Sequence, residues 1–177
     1  MRFQGWCSRG HDPQWSFSPL SGESARHKGG RFNPIGTPAL YLGLSPEVAW
    51  AEASHGFAHR FEPLTLCAYD VDVDDVVDLR TEDDSRSIGV DPADLACAWE
   101  YDLSNGTDPA SWAVARRFIH EEAAGILVPS FARGARPDMH NLVVWKWGPD
   151  LPHRVTVYDP SDRLPKNQLS WETAKTA

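Results

Sequence analysis

Cysteine is scarce in this chain: Cys7, Cys67 and Cys97 are the three found in 177 residues. An odd count without close spacing excludes a disulfide framework and a thiolate metal cluster, and it points to the reducing cytosol. No apolar run approaches the ~18 residues of a membrane-spanning helix. The opening Met1-Arg2-Phe3-Gln4-Gly5-Trp6 lacks a signal-peptide core. A cytoplasmic protein with no membrane segment is therefore expected. Positive charge is short as well. Lys and Arg number 17 against 25 Asp and Glu, a formal net charge of -8. That balance disfavours non-specific nucleic-acid binding. It fits a free protein, or one that meets a basic partner surface.

Several catalytic signatures are also missing. No His-Glu-x-x-His or clustered Cys/His suggests zinc. No Gly-x-Ser-x-Gly elbow is present. Neither a Gly-x-Gly-x-x-Gly fingerprint nor a P-loop occurs, which excludes a Rossmann crevice for any nucleotide. The series Asp70, Asp72, Asp74, Asp75 and Asp78 lacks the glycine and closing glutamate of a calcium loop, and reads as a solvated strand face and turn. Cys67 has no base near it in sequence, which leaves a thiol nucleophile unsupported.

What is present suits one domain with a real core: 41% hydrophobic residues, 24% charged, and eight tryptophans to fill a core or wall a pocket. Residues 2 to 7 read as a first strand and residues 8 to 30, with His11, Trp15 and His27, as an ordered loop. Leu64 to Val73 reads as a strand with Cys67, Tyr69, Val71 and Val73 on one face. Residues 80 to 91 are polar and read as a loop. Asp91-Pro92 starts a helix through Leu95 and Trp99. Asp108-Pro109 starts another, to about Ala124, with Trp112, Ala115, Phe118 and Ile119 as its buried stripe and Gly125 as its stop. Ile126 to Val128 reads as a buried strand that delivers Ser130. A basic loop with Arg133 and Arg136 follows, then strands at Asn141 to Trp147 and Val155 to Tyr158.

Residues 29 to 52 carry the chemistry. Gly29 and Gly30 let the backbone approach a ligand. Arg31 adds a planar fork of donors suited to phosphate or carboxylate, which lysine does not copy. Leu40 and Leu42 share one face of a short strand, with Tyr41 on the other. Ser45 and Pro46 are a good N-cap and first residue for a helix to about Ser54, with Gly56 as its stop. Glu52 follows Val48 and Ala49 by helical spacing and so shares their apolar side. A carboxylate there needs a partner or a task. From these residues alone, Arg31 is equally explained as an ion-pair partner of Glu52.

The stretch resembles the RES-domain family, named for an arginine, a glutamate and a serine. The resemblance runs through Asp12-Pro13-Gln14-Trp15, Pro19-Leu20-Ser21-Gly22, Gly29-Gly30-Arg31-Phe32-Asn33, Gly36-Thr37-Pro38, Leu40-Tyr41-Leu42, Ala49 to Glu52, Val128-Pro129-Ser130 and Asn141-Leu142-Val143. It implies a single α+β domain over residues 1–158 resembling the ADP-ribosyltransferase fold, with central mixed or antiparallel sheets flanked by helices and a polar tail at 159–177. It also implies a toxin opposed by an Xre-like antitoxin, with NAD as substrate and no metal.

The roles that follow from the resemblance are specific. Glu52 stabilises the ribosyl cation, Arg31 binds the pyrophosphate or a ribose phosphate, and Tyr41 stacks on nicotinamide or lends its hydroxyl to ribose. Phe32, where relatives often carry Trp or Tyr, is a further wall. Ser130 bonds the ribose or the glutamate, and Asn141 supports the nicotinamide side. ADP-ribose would pass to a protein acceptor; the alternatives are release to water or phosphate, or a non-catalytic partner-binding module.

Overall fold

The computed structural model describes residues 1–54 and 62–169; the proposed stop at Gly56 and the end of the polar tail lie outside the described residues. In chain order the elements are β1 (Phe3–His11), a 3-10 turn (Pro13–Trp15), α1 (Glu23–Lys28), β2 (Leu40–Gly43), α2 (Pro46–Ala53), β3 (Thr65–Val73) and β4 (Val76–Asp78). Then come α3 (Glu82–Ser87), α4 (Pro92–Leu95), α5 (Trp99–Ser104), α6 (Ala110–His120), β5 (Gly125–Pro129), β6 (His140–Val144) and β7 (His153–Val157).

The strands form a 7-stranded sheet in the order β4-β5-β6-β2-β1-β3-β7. The β4–β5 pair is parallel and every other pair is antiparallel, so the expected mixed α+β architecture is one continuous sheet. β1 and β3 pair along their whole lengths, from Phe3↔Val73 to His11↔Thr65. The alternation of strand side chains divides the core in two. Leu127, Leu142, Leu40, Leu42 and Tyr69 point to one side. Ile126, Val128 and Val143 point to the other, where Ala115 and Phe118 of α6 cover them.

The differences from the sequence reading have local causes. β1 continues to His11, and α1 lies inside the stretch read as loop. α1, Glu-Ser-Ala-Arg-His-Lys, buries no residue, so it carries no apolar stripe to detect. α3 replaces the expected loop at 80–91 for the same reason: it is polar throughout and starts where the Thr81 hydroxyl accepts from the Asp84 N–H. The helix from Asp91-Pro92 is broken into α4 and α5. α6 ends at His120, not near Ala124; Glu122 takes a left-handed φ of 65°, and Gly125 already belongs to β5. β6 stops at Val144, short of Trp147.

The acidic face of β3 also differs. Asp72 is only 5% exposed, with Arg2 Nε 2.6 Å and Gln4 Nε2 2.9 Å from its oxygens. It is a paired, buried carboxylate rather than a solvated one. At the start of the polar tail, Leu164 packs against the first core and Gln168 Nε2 donates to the Gln14 carbonyl at 3.3 Å.

Candidate active site

The loop before β2 is pinned from several directions. Gly29 takes φ 72°, a conformation that favours glycine. A Cβ on Gly30 would sit 2.6 Å from both Tyr41 Oη and Asn33 Oδ1, so only glycine lets the loop close on that tyrosine. Trp112 Nε1 donates to the Gly30 carbonyl at 2.7 Å, Ser111 Oγ to that of Arg31 at 2.5 Å, and Trp145 Nε1 to that of Phe32 at 2.9 Å. The N-terminal turn of α6 therefore fixes the backbone that carries Arg31.

Arg31 is half-buried. Its Nη1 donates to the carbonyls of Leu95 at 3.1 Å and Cys97 at 2.6 Å, and its guanidinium lies 4.6 Å from the centre of the Phe131 ring. Among the described residues it makes no ion pair, which corrects the reading of Arg31 as the ion-pair partner of Glu52. Burial lowers its pKa, while the more distant Glu52 acts the other way. Two neutral carbonyls thus hold a cation whose charge is left for something else.

Glu52 is held in a complementary way. The Ser45 hydroxyl caps α2, accepting from the Val48 N–H at 3.4 Å. The helix turns Val48 and Ala49 into the core and leaves Glu52 half-buried. Ser130 Oγ at 2.7 Å and Asn141 Nδ2 at 2.6 Å both donate to Glu52 Oε1. Among the described residues no donor reaches Oε2. Ser130 follows β5 and Asn141 lies on the paired strand β6, opposite Val128, so one end of two adjacent strands supplies both donors.

A cavity of about 520 Å3 joins these groups; Arg31, Phe32, Tyr41, Glu52 and Asn141 line it, with Arg9, Trp99, Glu100, Phe131 and Arg133 among the other walls. That volume is in the range of roughly 300–1,000 Å3 usual for small-molecule sites. Five of the residues singled out from sequence therefore face one hollow. Ser130 stands behind Glu52 as a donor to it.

Two expectations change. Tyr41 Oη donates to Asn33 Oδ1 at 2.7 Å and accepts from the Phe32 N–H at 2.9 Å, so its proton is committed inside the protein and its ring is what the cavity meets. Burial pushes its pKa up. Asn141 spends an amide proton on Glu52 rather than standing only on a nicotinamide side. Phe32 is 2% exposed and stacks at a tilt on Phe131, ring centres 5.9 Å apart.

Arg9, Trp99, Glu100 and Phe131 were not singled out from sequence. Arg9 lies on a strand where alternation alone marks no function, and the others come from segments that only the fold brings to the cavity. Among the described residues no cluster of three His, Cys, Asp or Glu could hold a metal, and no helix is long and apolar enough to cross a membrane.

Comparison with known proteins bears on the fold and the family. Curated proteins offer no sequence match. A chain of the crystal structure of the M. tuberculosis MbcT-MbcA toxin-antitoxin complex superposes with a TM-score of 0.58 at 25% identity, covering 90% of this chain and 84% of that one. The family model for the RES domain matches residues 6–167, nearly the whole sequence and every cavity residue named above. The chain belongs to the RES domain family.

Proposed function

We propose that the protein is the toxin of a toxin-antitoxin pair, and that it cleaves the nicotinamide–ribose bond of NAD and transfers the ADP-ribose to a protein side chain. The observation that carries this reading is the state of Glu52: oriented by two neutral donors on one oxygen, with Oε2 left unbonded among the described residues beside a nucleotide-sized cavity. Breaking a glycosidic bond of this kind passes through an oxocarbenium-like state. Nicotinamide already leaves as a neutral molecule from a cation, so no proton donor is needed. What is needed is a negative group near the anomeric carbon and a firm hold on the rest of the dinucleotide. Glu52 supplies the first. Arg31 supplies part of the second, with Phe32, Tyr41 and Phe131 as apolar walls.

A second reading has its own observation. Arg133 lines the cavity besides Arg31, so a second cation is at hand there, and a phosphate ion or water is an acceptor that such a place admits. A purely non-catalytic module has no use for a half-buried carboxylate that, among the described residues, forms no ion pair. The partner is proposed to be an antitoxin, since the structural neighbour comes from a toxin-antitoxin complex; covering the cavity mouth would be the direct way for it to keep NAD out.

Mass spectrometry of a reaction of purified protein, NAD labelled in its adenosine half, phosphate and cell extract distinguishes the acceptors. Label on protein supports transfer. Label in ADP-ribose phosphate or free ADP-ribose supports the second reading. Intact NAD in every condition rejects both.

A further inference from the structure

Trp99 is placed unlike most tryptophans of the chain. The indole N–H groups of Trp112, Trp145 and Trp147 each donate to a backbone carbonyl, at 2.7, 2.9 and 3.1 Å. Trp6 meets the Tyr158 ring edge-on, and Trp15 lies at a tilt to Phe17. Among the described residues the Trp99 indole has no hydrogen-bond acceptor and no aromatic or cationic partner, and it joins neither hydrophobic core. It is nonetheless half-buried, and it lines the same hollow as Arg31 and Glu52. A large apolar ring drawn out of water without packing on a core has a face left for a ligand.

The segment that leads into Trp99 is firmly held. Leu95 is buried in the second core. The carbonyls of Leu95 and Cys97 accept from Arg31 Nη1, and the Cys97 thiol donates to Ser111 Oγ at 3.4 Å. Ser111 in turn donates to the Arg31 carbonyl. The stretch that carries Trp99 is therefore the stretch that fixes Arg31. Glu52 takes its donors elsewhere, from Ser130 after β5 and Asn141 on β6.

We propose that Trp99 stacks on the adenine of the dinucleotide. This rests on the NAD reading of the site and gives a wall to the half of the ligand away from the reacting ribose. The order of groups along the ligand decides between its two bases. With the reacting ribose at Glu52 and the diphosphate at Arg31, the base beyond the diphosphate is adenine, and Trp99 stands on the Arg31 side. The competing view is that Trp99 only closes the wall. A filler would lower stability and weaken every ligand alike. A stacking plate affects ligands that carry adenine.

Calorimetric titration of wild type, Trp99→Ala and Trp99→Phe with ADP-ribose and nicotinamide mononucleotide separates the two. Trp99→Ala is expected to weaken ADP-ribose by about 10- to 100-fold, the scale of one base stacked on an aromatic ring. Nicotinamide mononucleotide, which has ribose and phosphate but no adenine, should bind as it does to wild type, and Trp99→Phe should recover most of the loss. Unchanged ADP-ribose affinity in Trp99→Ala, or an equal loss for nicotinamide mononucleotide, overturns the proposal.

Photolabelling of the wild-type protein with 8-azido-ADP-ribose, read by mass spectrometry, needs no variant. An adduct on the peptide that carries Trp99, competed away by ADP-ribose, is expected; adducts confined to other segments also overturn the proposal. If wild type binds neither ADP-ribose nor nicotinamide mononucleotide, the NAD reading fails and the proposal falls with it. A wild type that binds both, matched by Trp99→Ala, sinks the proposal alone.

Discussion

Asp72 on β3 and Glu52 on α2 are both drawn out of bulk water by the same fold, and their surroundings are opposite in kind. Asp72 meets Arg2 through a two-pronged pair at 2.6 and 2.8 Å, receives a further bond from Gln4, and has Arg154 Nη2 at 3.8 Å. These hydrogen bonds, first from Arg2 and then from Gln4, hold its pKa down to about 2. Its charge is cancelled on the spot. Among the described residues Glu52 receives bonds only from a serine and an amide, and no ionic partner cancels its charge. The arginines divide along the same line. Arg2 sits on a carboxylate, while Arg9 and Arg31 sit on backbone carbonyls. Neutral partners fix a charged group in direction and leave its field to act on a ligand. Ionic partners fix it and silence it.

The comparison breaks most visibly if the neutral donors are removed. The double variant Ser130→Ala/Asn141→Ala should lower the rate of NAD cleavage by about 100-fold, and each single change by about tenfold, as expected when one hydrogen bond to a charged group is lost. Initial-rate assays on the three variants check this, with circular dichroism to show that the sheet is intact. Rates within about twofold of wild type, on the scale of a negligible energy difference, would mean that these donors do not orient the working carboxylate.

Asp72→Asn should do the reverse. Turnover should hold while the melting temperature falls, because Arg2 loses its two-pronged carboxylate and, among the described residues, keeps only Asp74 at 3.8 Å. A thermal melt paired with an activity assay tests that contrast, and a variant that melts normally but loses activity would erase the distinction between the two carboxylates.

A third test concerns His11, held neutral by burial with its pKa lowered to about 4 from an ordinary value of 6.5. The unfolded chain binds a proton there before the folded one does. Stability from this group is therefore full above pH 6.5 and falls as pH drops towards 4, by roughly 3 kcal/mol across that window. Asp72, held from an ordinary 3.8 down to about 2, loses its contribution mainly below pH 4, so its share of the change in that window is small. Chemical denaturation between pH 7 and 4 should show the decline in wild type and a flatter curve in His11→Gln.

Much of the site was readable in residue order because its parts have local signatures. Ser45-Pro46 announces α2, helical spacing places Glu52 beside Val48 and Ala49, and alternation separates Tyr41 from Leu40 and Leu42. Arg31 and Glu52 stand out as residues, and the fold does bring both to one cavity. What stayed hidden depends on partners far along the chain. The donor to Asp72 comes from Arg2, the carbonyls holding Arg31 come from Leu95 and Cys97, and the proton of Tyr41 goes to Asn33. α1 and α3 were hidden for another reason, since short polar helices leave no hydrophobic period. β4 went unread because Val76-Val77-Asp78 is too short to alternate and is a strand only beside β5.

The most direct test is nicotinamide release by purified protein, measured for wild type and Glu52→Gln at equal, NAD-saturated occupancy. The expected result is release by wild type and a rate about 100- to 1,000-fold lower in the variant, the scale of losing one preorganised electrostatic group, with NAD still bound and the melting temperature kept. Release by Glu52→Gln at the wild-type rate would contradict the assignment of Glu52 as the charge that breaks the bond.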